Sequence, residues 1–453
     1  MTKYKLAEHQ RRLLDMMNRH RAWGIFAEAG TGKTILALTW IYNALMDGKI
    51  SDALVICPAA LVPNWEKSIT DAIQFEGFAP LDIEILQEHV KIISFNRTWQ
   101  ARNRVIHHRD GTAETKREYH VRDEIDRHWG AIIIDESHGL GIYNSVQTQT
   151  CLTLAYMADY RYIMTGTPDG GQYTKLYGQI SFLDPGKWRG ITDFKNQYVI
   201  KTDHFGKPIK YRDAEILALK KQYASAVRLR DCFDMPEETH TVIPCPLIPV
   251  KEFKDILKGN VAPYKITVNT AGVIPLKLMQ LASGFISTDE GVKHYKTSKT
   301  DAVKTIIEGT EDKVVIFYRF NESGNILAEL MAKMKISYYL FNGAEHRPLW
   351  QQYQTDDTRV FIAQYTKGNA GLDLYAAHIT IFYEPAMLSA TQLIQARART
   401  MRKGQRHPCT YYYLSTIKTA EPPTWDRNMH GADVSEADLI AMTEELKRQY
   451  AAD

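Results

Sequence analysis

A glycine-rich segment near the start of the chain has the residue types of a phosphate-binding loop. It spans residues 27–34, directly after an apolar run and directly before a helical pattern. Glycines permit turns that a side chain would block, so that successive backbone N–H groups point at phosphate oxygens. In this arrangement a lysine bridges the β- and γ-phosphates of ATP, and a following hydroxyl ligates Mg²⁺. The predicted nucleotide-binding residues are Gly30, Thr31, Gly32, Lys33 and Thr34, and the predicted metal ligand among them is Thr34.

Two acids follow a second apolar run, at Asp135 and Glu136. A carboxylate in the place of Asp135 can hold Mg²⁺, and one in the place of Glu136 can orient and deprotonate a water molecule. A strand that ends in two acids is weak evidence alone, but the loop around Lys33 supplies the other half of such a site. Because Glu136 would activate water, the pair predicts hydrolysis of ATP, with Lys33, Asp135 and Glu136 as catalytic residues.

A polar stripe lies near the end of the chain. Its members Gln392, Gln395, Arg399 and Arg402 have the spacing i, i+3, i+7 and i+10, which places them on one face of a helix that begins near Ser389. The stripe is either a solvated face or a pair of arginine fingers that reach the charge developing on a γ-phosphate. We favour fingers at Arg399 and Arg402, because a nucleotide site lies elsewhere in the chain. Hydrolysis would then depend on the closing of two lobes.

The elements that must position these residues form two series of short apolar runs, each run followed by helical periodicity. This pattern is typical of βαβ units around parallel sheets, and runs that are apolar throughout predict strands covered on both faces. The predicted strands are residues 23–27, 53–57, 131–134, 314–317, 359–363 and 379–383. The sequence therefore predicts an α/β fold.

The pattern weakens at about residues 201–271, where six prolines interrupt it. We therefore predict an N-terminal ATP-binding lobe at residues 1–235, an inter-lobe connection at 236–270 and a C-terminal lobe at 271–453. A length of 453 residues suits more than one domain.

The composition excludes several classes of site and partner. The charge is nearly balanced, with 56 Lys and Arg against 53 Asp and Glu, so any basic surface must be local. The five cysteines form no CxxC pair, which argues against a disulfide framework and a structural zinc site. No apolar run is long enough to span a bilayer, and the charged N-terminus lacks a signal core. We expect a cytoplasmic protein without a membrane partner.

Residues 395–405 resemble motif VI of superfamily 2 helicases, and the ending Gly404-Gln405 is typical of the SNF2-like branch. Further segments are similar to the family's motifs in order and approximate spacing. Gln10 matches the glutamine that reads adenine in this family. The matching segments are residues 30–34 for motif I, 58–65 for Ia, 135–138 for II, 165–168 for III and 368–374 for V.

The resemblance implies two RecA-like lobes, each a parallel sheet flanked by helices, with ATP in the cleft between them. It also implies a DNA-stimulated ATPase that translocates on duplex DNA. Contacts to DNA phosphates position such a protein without reading sequence. The DNA-contact candidates carried over from the motifs are Pro58, Thr167, Asn342, Gly343, Thr366 and Gly368. For Asn342-Gly343 an ordinary turn remains the alternative.

The chain departs from the family pattern at a few positions. Asp169 follows motif III, Asn369 and Asp373 stand in motif V, and Met387 stands where a Trp often precedes motif VI. The chain is close to the family's minimum length and resembles compact bacterial or bacteriophage members, which implies the cytoplasm of a bacterium or of a phage-infected cell. We expect branch migration or fork remodelling in replication, recombination or repair.

Residues 101–128 are rich in Arg and His, and Asp110-Gly111 predicts a hairpin turn between two strand-like runs. Both a solvated surface hairpin and a DNA contact fit this segment. Two other functions also stay open: an ATP-gated DNA-binding clamp with weak turnover, and a DEAH-type RNA helicase. The presence of all five predicted catalytic residues favours the enzyme over the clamp, and the Gly404-Gln405 ending argues against the RNA helicase.

Overall fold

The computed structural model describes residues 5–107, 113–170, 172–202, 206, 208–342, 349–368, 372–387 and 389–452. The chain divides into two compact units, Met1–Phe233 and Asp234–Asp453. Within the described residues no helix combines the length and the apolar character needed to cross a bilayer.

The first unit contains the elements that run from α1 to α9 and from β1 to β10. Its helices are α1 (Glu8–Arg19), α2 (Lys33–Met46), α3 (Val62–Asp71), α4 (Pro80–His89), α5 (Val146–Ala155), α6 (Leu176–Leu183), α7 (Ile191–Tyr198), α8 (Asp213–Tyr223) and α9 (Leu229–Cys232). Its strands are β1 (Ala22–Ala27), β2 (Ala53–Cys57), β3 (Val90–Ser94), β4 (Trp99–His107), β5 (Ala113–Val121), β6 (Trp129–Asp135), β7 (Ala158–Thr165), β8 (Val199–Thr202), β9 (Pro208–Tyr211) and β10 (Ala224–Val227). Short 3₁₀ helices lie at Ala59–Leu61, Ala72–Gln74, Phe95–Arg97, Ser137–Gly141 and Tyr173–Lys175.

Six strands of the first unit form a parallel sheet in the order β10-β1-β7-β6-β2-β3. Alternate residues of its central strands enter separate hydrophobic clusters: Ile133 packs with Trp40 of α2, whereas Ile132 and Ile134 pack with Ile180 of α6. The sheet is therefore covered on both faces, which explains why its strands are continuous apolar runs. The predicted strands at residues 23–27, 53–57 and 131–134 are confirmed.

Two antiparallel strand pairs lie outside this sheet. The strand-like runs predicted on either side of residues 110–111 belong to β4 and β5, which pair from Trp99 opposite Val121 to His107 opposite Ala113. The predicted turn, Asp110-Gly111, lies outside the described residues. The strands β8 and β9 form the second pair.

The second unit contains β11 to β18 and α10 to α18. Its strands are β11 (Glu238–Cys245), β12 (Phe285–Thr288), β13 (Gly291–His294), β14 (Val314–Tyr318), β15 (Tyr338–Phe341), β16 (Val360–Gln364), β17 (Ile379–Phe382) and β18 (Cys409–Thr416). Its helices are α10 (Val250–Leu257), α11 (Val273–Ala282), α12 (Ser298–Glu308), α13 (Asn321–Met334), α14 (Leu349–Thr355), α15 (Tyr365–Gly368), α16 (Ala390–Thr400), α17 (Glu421–Met429) and α18 (Glu436–Ala452), with a 3₁₀ helix at Ala262–Tyr264.

The second sheet is also six-stranded and parallel, in the order β11-β18-β17-β14-β16-β15. The strands predicted from the second series of apolar runs correspond to β14, β16 and β17. A separate antiparallel pair joins β12 to β13. The predicted α/β class with two parallel sheets is confirmed.

The segment predicted as an inter-lobe connection, residues 236–270, contributes elements to the second unit. All eight residues of β11 pair with β18, and α10 buries Phe253, Ile256 and Leu257 in a cluster that also holds residues of α11 and α18. One of the six prolines that weakened the pattern, Pro244, lies in β11, which is an edge strand of the sheet, and proline within sheets is found mainly in edge strands.

Candidate active site

The phosphate-loop segment connects β1 to α2, as predicted. Gly30 and Gly32 adopt φ angles of +86° and +79°, which favour glycine. A Cβ atom on Gly32 would also lie 2.2 Å from Nε2 of Gln10, so a side chain at this position would displace the Gln10 amide from the loop. Because α2 begins at Lys33, its first backbone N–H groups have no intrahelical acceptor and are available to an anion.

Two side chains of the loop, those of Lys33 and Thr31, donate hydrogen bonds to backbone carbonyls of the same segment. Nζ of Lys33 donates to the carbonyl of Ala27 at 2.7 Å and to that of Glu28 at 3.3 Å, and the Thr31 hydroxyl donates to Glu28 at 2.8 Å. The Lys33 ammonium group therefore occupies the part of the loop in which the phosphate groups would bind. An anion that offers stronger charge-assisted bonds can replace these carbonyl contacts.

Gln10 lies against the same loop from α1. Its Nε2 donates to the carbonyls of Thr31 at 3.3 Å and Gly32 at 3.2 Å, while its Oε1 accepts the N–H of Ala7 at 2.8 Å. A ring nitrogen of His9 lies 2.9 Å from the same Thr31 carbonyl. The structure thus brings Gln10 to the predicted nucleotide loop, and the reading of adenine by Gln10 stays a prediction.

Asp135 ends β6 as a buried carboxylate with a relative exposure of 5%. Its Oδ2 accepts the indole N–H of Trp65 at 2.9 Å, and its Oδ1 accepts the N–H of Glu136, also at 2.9 Å. Burial and the neighbouring Glu136 carboxylate raise the pKa of Asp135 to about 6, while the charge of Lys33 opposes this rise. The two hydrogen bonds fix the direction of a carboxylate whose negative charge a cation would stabilise.

Glu136 adopts the left-handed conformation, with φ +50°, immediately before the 3₁₀ helix Ser137–Gly141. Its Oε2 lies 3.3 Å from Nδ1 of His138 and 3.5 Å from the hydroxyl of Thr165. His138 Nδ1 is itself 3.0 Å from that hydroxyl, which also accepts the N–H of Thr167 at 3.1 Å. The acid and the segment after β7 are therefore joined by a small hydrogen-bonded cluster.

The register of the sheet explains why residues distant in sequence meet at one edge. Phe26 pairs with Thr165, and Asp135 pairs with Met164 on the other side of β7. Because the strands are parallel, the phosphate loop after β1 and the acids after β6 both leave the carboxyl edge of the sheet. Ligands bind at this edge in open α/β sheets.

The donor set fits Mg²⁺ bound together with a nucleotide better than a metal held by protein alone. Magnesium is usually bound through one or two carboxylates together with substrate phosphates and water. Asp135 and the hydroxyl of Thr34 offer this kind of partial set. Among the described residues no group of three or more His, Cys, Asp and Glu side chains could hold a metal ion.

Trp65 is a residue of the site that sequence reasoning missed. It lies on α3, 70 positions before the carboxylate to which it donates, so no spacing pattern links the two. The only signal was its place at the end of the segment similar to motif Ia. His9, which contacts the phosphate loop from α1, was missed in the same way.

In the second unit, Arg399 and Arg402 converge on one backbone carbonyl. Nη1 of Arg399 lies 3.4 Å from the carbonyl oxygen of Leu372, and Nη1 of Arg402 lies 3.1 Å from it. Arg402 also forms an ion pair of 2.6 Å with Asp373, one of the residues at which motif V departs from the family pattern. The two predicted fingers are thus adjacent within their own unit.

The prediction that the four residues of the stripe share one helix face is wrong for Arg402. The helix α16 has Ser389 as its N-cap, as expected, but it ends at Thr400. Gly404 then adopts a φ of +106°, and the Gln405 amide donates to the carbonyls of Tyr375 and Ala377 at 3.0 and 2.9 Å. This turn ends the helix before Arg402.

The DNA-contact candidates lie at the carboxyl ends of strands in each unit. Pro58 follows β2 and Thr167 follows β7 in the first unit, and the buried hydroxyl oxygen of Thr167 has no hydrogen-bond partner among the residues that the structure describes. In the second unit Asn342 follows β15, while Thr366 and Gly368 lie in α15, directly after β16. Gly343 lies outside the described residues. Their contacts with DNA stay predictions.

Comparison with protein families gives two matches along the chain. The SNF2-related domain matches residues 9–265, and the helicase conserved C-terminal domain matches residues 298–404. The first match includes the phosphate loop and the acid pair, and the second includes both arginines. The SNF2-related domain alone covers more than half of the chain.

Individual relatives are distant. The chain is 23% identical to the human DNA excision repair protein ERCC-6 over 489 residues, which cover 94% of this chain and 32% of that protein. It is also 23% identical to the ATP-dependent helicase brm of Drosophila melanogaster, with 88% of this chain and 27% of brm covered. The chain therefore spans between about a quarter and a third of the length of these curated relatives. A solved Sulfolobus solfataricus SWI2/SNF2 ATPase core in complex with dsDNA is 18% identical, with a TM-score of 0.43 and coverage of 99% of this chain and 97% of that one.

Proposed function

The chain belongs to the SNF2-related family, a family of ATPases, and we propose that it is an ATP-dependent translocase that moves along duplex or branched DNA. One observation carries this proposal. A phosphate loop and an Asp-Glu pair lie at the same edge of one parallel sheet, and Glu136 accepts a hydrogen bond from Thr165, the last residue of β7. A site that joins a nucleotide loop to a water-activating acid is suited to hydrolysis.

Each residue of the site has a role in this proposal. The loop N–H groups and Lys33 bind the phosphates, while Thr34 and Asp135 hold Mg²⁺, which neutralises phosphate charge. Glu136 accepts a proton from the attacking water. His138 and Thr165 orient the Glu136 carboxylate through the contacts described above.

The arginines would make hydrolysis depend on both units. Arg399 and Arg402 are proposed to stabilise the charge that develops on the γ-phosphate, as arginine fingers do in other phosphoryl-transfer enzymes. Such a requirement restricts hydrolysis to a closed state of the two lobes. In the present state Arg402 is paired with Asp373, and this contact would have to break.

The proposed DNA substrate is duplex or branched, and contacts to it would be largely independent of sequence. The candidates after β2, β7, β15 and β16 are small or polar residues suited to phosphate contacts. A relative is called a DNA excision repair protein, which supports a role in DNA transactions. Branch migration or fork remodelling in replication, recombination or repair is the finer proposal, in the cytoplasm of a bacterium or of a phage-infected cell.

The test compares ATP hydrolysis with single-stranded, duplex, forked and four-way-junction DNA, and with RNA. We expect duplex and branched DNA to raise the rate most, and the same DNA to support displacement of a third strand from a triplex. Lys33→Ala should lower the stimulated rate by about a hundredfold or more. Lys210→Ala, at an exposed lysine of β9, serves as the control.

Each alternative has a distinct signature in these assays. Stimulation by RNA and not by DNA would identify an RNA helicase. Nucleotide-dependent DNA binding without DNA-stimulated turnover would identify a clamp. Either result would overturn the translocase.

A further inference from the structure

A buried glutamine outside every motif connects the acid segment to the segment after β7. Gln179 lies on α6, and its side chain is fully buried. Its Oε1 accepts the hydroxyl of Ser137 at 2.9 Å, directly after Glu136 in the chain. Its Nε2 donates to the carbonyl of Pro168 and, at 3.0 Å, to that of Lys175. One amide thus contacts the residue after Glu136 and the residue after Thr167.

The neighbours of this amide allow only one orientation. Two carbonyl oxygens, those of Pro168 and Lys175, lie on one side of it, and a carbonyl cannot donate a hydrogen bond. The NH₂ group must therefore face them, which leaves the amide oxygen for the hydroxyl of Ser137. Because the Gln179 amide and the Ser137 hydroxyl are buried, an amide turned the other way would leave these polar atoms without hydrogen bonds.

The spacing between α6 and the 3₁₀ helix Ser137–Gly141 is fixed by backbone contact. A Cβ atom on Gly178, next to Gln179, would lie 2.2 Å from the carbonyl oxygen of Leu140. The helix and the segment that carries Ser137 therefore cannot move apart or closer without breaking close packing. A displacement of Pro168 would pass through the amide to Ser137 and thus to the backbone of Glu136.

We propose that Gln179 is a positioning residue that couples the DNA-contact candidate Thr167 to the water-activating Glu136. Binding of a phosphate at Thr167 would shift the Thr167-Pro168 backbone. The amide of Gln179 would carry this shift to Ser137 and set the direction of the Glu136 carboxylate. This coupling rests on the proposed function, because it requires DNA at one end and ATP hydrolysis at the other.

A polar side chain at position 179 fixes the directions of the groups that it bonds, whereas an apolar side chain would not. A methionine has a similar volume and fills the same space without hydrogen bonds. Packing alone would therefore retain α6, whereas the direction of the Ser137 hydroxyl and of the Pro168 carbonyl would no longer be specified. Substitution of Gln179 by an apolar side chain of equal size therefore distinguishes a coupling role from a purely structural one.

The experiment is a double-mutant cycle on the full chain with Gln179→Met, Ser137→Ala and the double variant. For each protein we would measure the ATPase rate with and without duplex DNA, the KM for ATP and the melting temperature. Gln280→Met is the matched control, because Gln280 is a buried glutamine of the second unit that accepts the N–H of Ser287 at 3.1 Å. Ser137→Ala removes a single oxygen and keeps the fold testable if Gln179→Met unfolds.

We expect the ratio of DNA-stimulated to basal rate to fall about tenfold in each single variant, with the KM for ATP unchanged. The double variant should fall no further, because both changes break the same connection. The Gln280→Met control should keep the wild-type ratio.

A wild-type ratio in folded Ser137→Ala and Gln179→Met would overturn the coupling, as would additive losses in the double variant. Equal losses of basal and stimulated rate, together with a lower melting temperature, would assign Gln179 a structural role and also overturn the proposal. A wild-type enzyme whose rate does not respond to DNA is a different outcome, since it removes the proposed function on which the coupling rests.

Discussion

At the residue scale, the environment of Asp135 is the most informative feature of the site. Its carboxylate is buried at the end of β6, next to another acid, and the pKa of Asp135 is raised to about 6 for both reasons. Two hydrogen bonds, from the Trp65 indole and the Glu136 backbone, hold it in place. A buried carboxylate that is oriented in this way is suited to bind a cation, and removal of an orienting donor should weaken cation binding.

Trp65→Phe tests this role. The substitution keeps an aromatic ring in the core and deletes the N–H that Asp135 accepts. We expect the Mg²⁺ concentration for half-maximal ATPase activity to rise about tenfold, the size of effect typical when a metal ligand loses its hydrogen-bond partner. The measurement is a Mg²⁺ titration of the ATPase rate at saturating ATP.

Trp188→Phe provides the matched control. Trp188 is in the same unit and donates its indole N–H to Gln197 at 3.1 Å, away from the acid pair. An unchanged Mg²⁺ requirement in a folded Trp65→Phe protein would contradict the assigned role of Trp65.

The site residues that could be predicted from the sequence are those that stand in a recognisable local pattern of strand, loop and helix. Lys33 begins the helix α2 after β1, and Asp135 ends β6 shortly before a 3₁₀ helix, and these local contexts are visible without a structure. Trp65 and Gln179 could not be predicted, because each reaches its partner through packing of helices that are separated along the chain. Hydrogen bonds of this kind depend on tertiary distances that no residue spacing records.

At the element scale, a buried ion pair connects three elements of the second unit. Nζ of Lys299 on α12 lies 2.5 Å from Oε1 of Glu421 on α17, and both side chains are fully buried. Oε2 of Glu421 accepts the N–H of Thr416, the last residue of β18, at 2.7 Å. Burial raises the pKa of Glu421, and Lys299 opposes this rise. Each of these two buried charges therefore depends on the other for its stabilisation.

Lys299→Met should destabilise the second unit by about 3–5 kcal/mol, because it leaves a buried carboxylate without its counter-charge. The double variant Lys299→Met/Glu421→Leu should recover most of this loss. Urea unfolding followed by circular dichroism measures both effects.

Lys304→Met is the control on the same helix. Lys304 forms an exposed pair with Glu308 at 3.7 Å, so its removal should cost about 0–1 kcal/mol. Similar losses for Lys299→Met and Lys304→Met would show that the buried pair has no special role.

Strands were easier to predict than boundaries. Runs such as residues 53–57 are apolar throughout because helices cover both faces of the sheet. This burial can therefore be recognised from the residue types alone. The end of α16 and the assignment of β11 to the second sheet were not predictable. The first depends on the turn held by Gln405, and the second on pairing with β18, whose residues lie far away in sequence.

At the scale of the whole molecule, the predicted catalytic residues are divided between the two units. Lys33, Asp135 and Glu136 belong to the first unit, whereas Arg399 and Arg402 belong to the second. Neither unit carries the complete set. We therefore expect hydrolysis to require both units and to respond to DNA, which would be the basis of translocation.

Arg402→Ala tests this division most directly, through the ATPase rate with and without duplex DNA and the affinity for ATP measured alongside. We expect near-normal ATP affinity with a DNA-stimulated rate reduced about a thousandfold, as for loss of an arginine finger. Arg427→Ala, which removes an arginine of the second unit paired with Asp438, should behave as wild type. An Arg402→Ala protein that hydrolyses ATP as fast as wild type in the presence of DNA, or one that loses ATP affinity but keeps its turnover, would contradict the account.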